Sequence, residues 1–189
     1  MEKHYIYLIF SKTGTILSQV LSFFCETKYV HSAFSFDNSF TQIYSFGRKN
    51  PYNPFSGGFV IENFSAGVYS RFPRSECYIT KLELTEEQYH SLKKELEIFM
   101  SKKDSYKYNF LGLFGVLFNI PIKRNNYYFC SQFVSEMLIK SGIYNANKPP
   151  ELIKTDDLIS IENQELYYNG LVNQCVPFKQ LYNFTLKLW

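Results

Sequence analysis

Four cysteines and three histidines are this 189-residue chain's whole stock for thiol–imidazole chemistry. Cys130 lies in Tyr127-Tyr128-Phe129-Cys130-Ser131-Gln132-Phe133-Val134, where an apolar run passes into a helical pattern. Phe133, Val134, Met137 and Leu138 recur at the spacing of one helix face, and Gly142 supplies the stop. A thiol in the first helical turn feels the positive end of the macrodipole, which favours the thiolate. A thiolate attacks a carbonyl, while an imidazole takes the thiol proton and returns it to the leaving group. The backbone N–H groups of Cys130 and Ser131 are then placed to hold the oxyanion. His31 is the candidate base. His4 is close to the N-terminus, and His90 follows Tyr89 on a helix whose apolar face skips it. The bland alternatives are a small buried hydrophobe for Cys130 and a structural strand residue for His31.

The elements that must bring these two together can be read from periodicity. Strands are predicted over 29–36 and 41–46, joined by the hairpin signal Asp37-Asn38-Ser39. Pairing them about Asn38 sets His31 opposite Ser45, with residues 31, 33 and 35 on one face beside 43 and 45. Small Ala33 and Ser35 on that face leave room for a helix to pack close, while Phe34 and Phe36 point the other way. Ser45 is therefore the group expected to bond the far ring nitrogen of His31 and fix its tautomer. Gln42, Tyr44 and Glu62 stand behind it as candidates.

Around this pair the pattern predicts a strand over 4–10 and a helix carrying Ile16, Leu17, Val20, Leu21 and Phe24. A loop over 48–58 and strands over 59–62 and 77–84 follow. Thr85-Glu86-Glu87-Gln88 is a capping box, stapled by Leu84 and Tyr89, for a helix that buries Leu92, Leu96 and Phe99. The run from Phe110 to Ile120 is almost wholly apolar, yet its 11 residues fall short of the ~20 that span a bilayer. It reads as a buried core helix, or as a wall or lid that receives an acyl chain. Pro149-Pro150 opens a turn, and 164–189 reads as strand-like segments. The mixture indicates a single α+β domain over 1–189 with an antiparallel sheet.

Composition narrows the function. Hydrophobic residues make up 46% and aromatic residues 19% of the chain, which argues against disorder. Lys and Arg number 20 against 17 Asp and Glu, and no basic block exceeds two residues, so nucleic acid is not an expected partner. Arg48-Lys49 and Lys123-Arg124 read as solvated loop charges, or as a small rim for an anionic substrate. The cysteines form no CxxC pair, so no metal is expected. The first 24 residues lack a signal-peptide layout, which points to a cytoplasmic protein with reduced thiols.

Four segments in order then carry a resemblance: His31-Ser32-Ala33-Phe34-Ser35-Phe36-Asp37, Tyr44-Ser45-Phe46-Gly47-Arg48-Lys49, Gly57-Gly58-Phe59-Val60-Ile61-Glu62 and Phe129-Cys130-Ser131-Gln132-Phe133-Val134. From about Tyr5 to Leu158 the chain resembles the circularly permuted branch of the NlpC/P60 superfamily. That papain-like group also includes the lecithin:retinol acyltransferase-type proteins, and in it the strand His precedes the helix Cys. The resemblance implies a papain-like, six-stranded or similar antiparallel sheet with the Cys helix packed against it. It implies Cys130 as nucleophile, His31 as base, and a polar residue on the next strand as the third member. Ser45 fills that place here and orients a ring less well than a carboxylate. The implied activity is a cysteine hydrolase, of amidase or peptidase type, with no cofactor. Its substrates would be amide or ester bonds of small peptides, cell-wall fragments or acylated amines. The alternatives are a thioester-forming acyltransferase or lipid hydrolase, and a non-catalytic binding module on the same fold.

Overall fold

Tyr and Ile alternate in the first strand so that both of its faces are apolar, and the chain uses it as the middle of a sheet. In the computed structural model, which describes residues 3–13, 28–50 and 56–175, this strand is β1 (His4–Lys12). Ile6, Leu8 and Phe10 point into one core, and Tyr7 and Ile9 into a second core behind the sheet. The helix predicted over 16–24, residues 51–55 of the proline-bearing loop and the tail beyond 175 lie outside the described residues.

β1 pairs with β2 (His31–Ser35) on one side and β5 (Glu76–Leu84) on the other. Beyond β2 lie β3 (Ile43–Arg48) and β4 (Gly57–Glu62), and beyond β5 lies β8 (Gln164–Leu171). The order is β4-β3-β2-β1-β5-β8, a six-stranded sheet in which every registered pair is antiparallel. A short parallel pair, β6 (Lys107–Tyr108) and β7 (Tyr127–Tyr128), stands apart from it. The architecture is α+β with an antiparallel sheet and packed helices.

Helix α1 (Gly67–Arg71) lies between β4 and β5, and its Tyr69 joins Phe40, Phe64, Val172 and Cys175 over the second core. Helix α2 (Glu86–Met100) starts at the expected capping box. Thr85 Oγ1 accepts from the Gln88 N–H at 3.2 Å, and Gln88 Oε1 accepts from the Thr85 N–H at 3.1 Å. Helices α3 (Phe110–Leu117), α4 (Cys130–Lys140) and the short α5 (Thr155–Ile159) follow. Gly142, with φ of +67°, takes the left-handed turn that ends the α4 region.

The first core explains the abundance of aromatic residues. Phe46 meets Phe59, Phe99, Tyr106, Tyr128 and Phe133 at ring-centroid distances of 5.4–6.3 Å. Phe133 of α4 also stacks on Phe34 of β2, at 5.8 Å. Burying one such ring stabilises the fold by roughly 1.5–3 kcal/mol, so these contacts fix where α4 sits on the sheet.

Three expectations need correction. Helix α4 packs on the Phe34 and Phe46 face, not on the small-residue face, because apolar area outweighs the room that Ala33 and Ser35 leave. The β2–β3 register pairs Ala33 with Ser45, two residues away from a turn centred on Asn38. Asp37 Oδ1 accepts from the Ser39 N–H at 2.8 Å, and the buried Phe40 takes φ of +52°, so the connection wraps further before β3 begins. Third, α3 is not a buried core helix, since Leu111, Phe114 and Phe118 are exposed.

Candidate active site

Cys130 is the first residue of α4. Its N-cap, Phe129, has extended backbone and offers no side-chain acceptor, so no cap competes for the N–H groups of the first turn. The first-core contacts of Phe133 anchor the helix and set this turn against the start of β2. There the thiol makes a long contact to the Val30 carbonyl, at 3.8 Å. The sulfur also receives backbone N–H bonds from Ser32 and Ser131.

His31 opens β2 from the other side. The β2–β3 ladder is registered only at Ala33–Ser45 and Phe34–Tyr44, so His31 lies beyond its last pair. Its Cε1 comes within 3.5 Å of where a Cβ on Gly47 would be. The ring is half-buried, and its side chain hydrogen-bonds with that of Cys130. The predicted nucleophile and base are thus neighbours, meeting at the end of a strand rather than across the small-residue face.

Nε2 of His31 has three acceptor oxygens around it. Both oxygens of Glu62 lie at 3.1 Å and Ser45 Oγ at 3.2 Å. Ser45 donates its own proton to the Ser32 carbonyl at 3.0 Å, so its lone pair is what faces the ring. The Nε2 proton goes to the carboxylate, the stronger acceptor. That leaves Nδ1 for the thiol. Glu62 is held in turn by the Tyr69 hydroxyl at 3.4 Å, and Tyr69 by Ser11 Oγ at 3.0 Å. Ser45 is therefore in contact with His31 as expected, but Glu62, named only behind it, is the charged partner.

Gly47 is needed for this arrangement. A Cβ there would stand 2.7 Å from Glu62 Oε1, so any other residue would make the carboxylate shift from its place beside His31.

The electrostatics follow from the contacts. Burial drives the His31 ring toward neutrality, yet the Glu62 carboxylate, helped by Cys130, outweighs it and lifts the imidazole to about 10. Burial likewise opposes the Cys130 thiolate, but the hydrogen bond and charge of His31 prevail, with the Ser32 and Ser131 N–H groups adding to them, and the thiol falls below its usual range. Cys77, buried without such partners, is pushed well above that range by the same desolvation. Two buried thiols thus part in opposite directions, and the difference is His31.

Sequence reasoning missed Tyr108. Burial and the neighbouring Cys130 push its phenol well above the tyrosine range. It sits 22 residues before Cys130 on the two-residue strand β6, too short to show any period. A cavity of about 350 Å³ opens on the Glu62 and Tyr69 side, lined also by Arg48, Lys49 and Val60, and neither Cys130, His31 nor Tyr108 lines it. One buried polar atom near the thiol in sequence, Gln132 Oε1, has no hydrogen-bond partner.

Among the described residues no group of three or more His, Cys, Asp or Glu could hold a metal ion, and no helix is long and apolar enough to cross a membrane. No protein-family model matches the chain, and no curated protein or solved structure matches it either.

Proposed function

We propose that this protein is a cysteine hydrolase of the permuted NlpC/P60, papain-like type, acting on amide or ester bonds. The reading rests on one observation above all: a buried thiol beside an imidazole whose Nε2 lies 3.1 Å from both oxygens of a carboxylate, an arrangement that favours the thiolate against desolvation. In this reading the Cys130 thiolate attacks the substrate carbonyl, and the Cys130 and Ser131 N–H groups take the oxyanion. His31 Nδ1–H protonates the departing amine or alcohol. Water, deprotonated by the neutral ring, then hydrolyses the thioester. Glu62 keeps Nε2–H in place throughout, and Ser45 shares that bond as a weaker acceptor. The order His31 before Cys130, the six-stranded antiparallel sheet and the Cys-bearing helix on it accord with the family resemblance.

Alkylation with iodoacetamide across pH, read by mass spectrometry at each cysteine, tests the reading. Cys130 is 4% exposed, so its absolute rate is set by access, while the pH at which the rate rises reports the thiolate. The expected result is a Cys130 limb well below the ordinary ~8.5, with Cys77 unreactive until far higher pH. A Cys130 limb at or above the ordinary value overturns the proposal.

A further inference from the structure

Helix α3 is built the wrong way round for a helix that serves its own core. Its inward positions are Gly112 and Gly115, both buried, whereas Leu111 (55% exposed), Phe114 (60%) and Phe118 (73%) form the outward stripe at i, i+3 and i+7. The glycines are there because nothing larger fits. A Cβ on Gly112 would lie 2.5 Å from Asn109 Nδ2, and one on Gly115 would lie 2.5 Å from the Ile120 carbonyl oxygen. The chain returning from α3 adds Ile120, 57% exposed, to the same apolar surface. It runs back along the helix, with the Ile122 carbonyl accepting from Asn109 Nδ2 at the helix start.

The segment that carries this surface is basic. Residues 101–127 hold Lys102, Lys103, Lys107, Lys123 and Arg124 against Asp104 alone, a balance of +4, while the whole chain carries only +3. The rest of the molecule is therefore at −1 by difference. Two of these cations gather at the N-terminal end of α3, where the Arg124 guanidinium lies 3.7 Å and Lys107 Nζ 6.0 Å from the centre of the Tyr127 ring. Glu151, on the 3-10 turn that packs against α3, is buried and does not offset them at the surface.

We propose that α3 and its basic flank dock this protein on an anionic lipid bilayer, with Leu111, Phe114, Phe118 and Ile120 entering the interface. Exposed aromatic and aliphatic side chains framed by Lys and Arg are the composition of a helix lying in the plane of the headgroups. A second copy of the chain is a poorer occupant: with roughly 200 Å² for a ring and somewhat less for Leu or Ile, the four side chains present roughly 450 Å², about half of what each partner of a stable dimer buries. The docking helix begins next to the candidate site, since Tyr108, whose phenol is shifted by Cys130, packs against Phe110 with ring centroids 4.7 Å apart. The proposal concerns binding alone and stands whether or not Cys130 turns over a substrate.

Flotation of the full chain with phosphatidylcholine vesicles, with and without phosphatidylserine, tests it. The wild type should float with the anionic vesicles and lose most of that binding in high salt. Phe114→Ser/Phe118→Ser should weaken binding by about tenfold or more, and Lys107→Glu/Lys123→Glu should weaken it on anionic vesicles alone. All four positions are exposed, and matching circular dichroism and melting curves establish that each variant is folded. Absence of wild-type binding overturns the proposal, as does binding that the Phe114→Ser/Phe118→Ser variant retains. So does a wild-type dimer in sedimentation that this variant breaks without any lipid effect, which would make α3 an interface between copies.

Discussion

Glutamine in place of Glu62 keeps the shape of the side chain and removes the charge that holds the His31 proton. The imidazole stands at about 10 instead of its usual 6.5 although burial pulls it downward, and Glu62 is the largest influence raising it. Without the carboxylate, burial dominates, and His31 falls back toward or below 6.5. The Cys130 thiolate then faces a neutral ring at pH 7, and its own pKa moves up toward the ordinary range. A thiol near 8.5 is only about 3% ionised at pH 7, so Cys130 alkylation at that pH should drop by up to about thirtyfold in Glu62→Gln. The sign is fixed: the acid limb of the alkylation profile moves to higher pH, and the His31 titration, followed by NMR of the ring Cε1–H, moves to lower pH. Both groups titrate as a pair, so the two shifts should appear together. A folded variant with an unchanged His31 titration and an unchanged alkylation limb would refute the claim that Glu62 sustains the pair.

Other perturbations follow from the same geometry. Ser45→Ala removes the weaker of the two Nε2 acceptors, so its effect on the Cys130 alkylation limb should be smaller than that of Glu62→Gln; equal effects would give Ser45 a larger share. Tyr108→Phe removes a hydroxyl neighbouring Cys130, so the Cys130 limb should rise in pH with the melting temperature little changed, and an unmoved limb would exclude Tyr108 from the site. Gly47→Ala sets a methyl 2.7 Å from Glu62 Oε1 and should reproduce the Glu62→Gln titration without removing any charge, which the same NMR titration checks. Gln132→Met removes a buried amide oxygen that has no partner; stability by urea titration should hold or rise by about 1 kcal/mol, and a clear loss would mean that the amide is engaged.

Much of this candidate site was legible in the chain because Cys130 and His31 announce their own elements. Cys130 heads a helix whose apolar face is periodic, and His31 heads a short strand, His31–Ser35, bounded by the Asp37-Asn38-Ser39 turn signal. What the sequence concealed has physical reasons. Glu62 reaches His31 from β4, across β3 and past Gly47, and no spacing encodes that path. The β2–β3 register depends on an Asp37-centred turn and on Phe40 in the left-handed region, whereas composition alone suggests a tighter hairpin. The Ala33–Ser35 face offers room, but room does not drive packing; the buried rings of Phe34, Phe46 and Phe133 do. Helix α3 is apolar on every side, so its pattern carries no face, and only the close approach at Gly112 and Gly115 reveals which side is turned inward. Tyr108 belongs to a strand of two residues, below the length at which alternation means anything.

The central claim, that Cys130 is a nucleophile that acylates and is then released, is tested most directly by the mass of the intact protein after mixing with p-nitrophenyl acetate at neutral pH. The account predicts one acetyl group on Cys130, formed with a burst of p-nitrophenolate and lost again as the thioester hydrolyses. Cys130→Ala should show neither, and His31→Ala should show much slower acylation and release. Acetyl groups confined to lysines or to other cysteines, with Cys130 unmodified in the folded wild type, would contradict it.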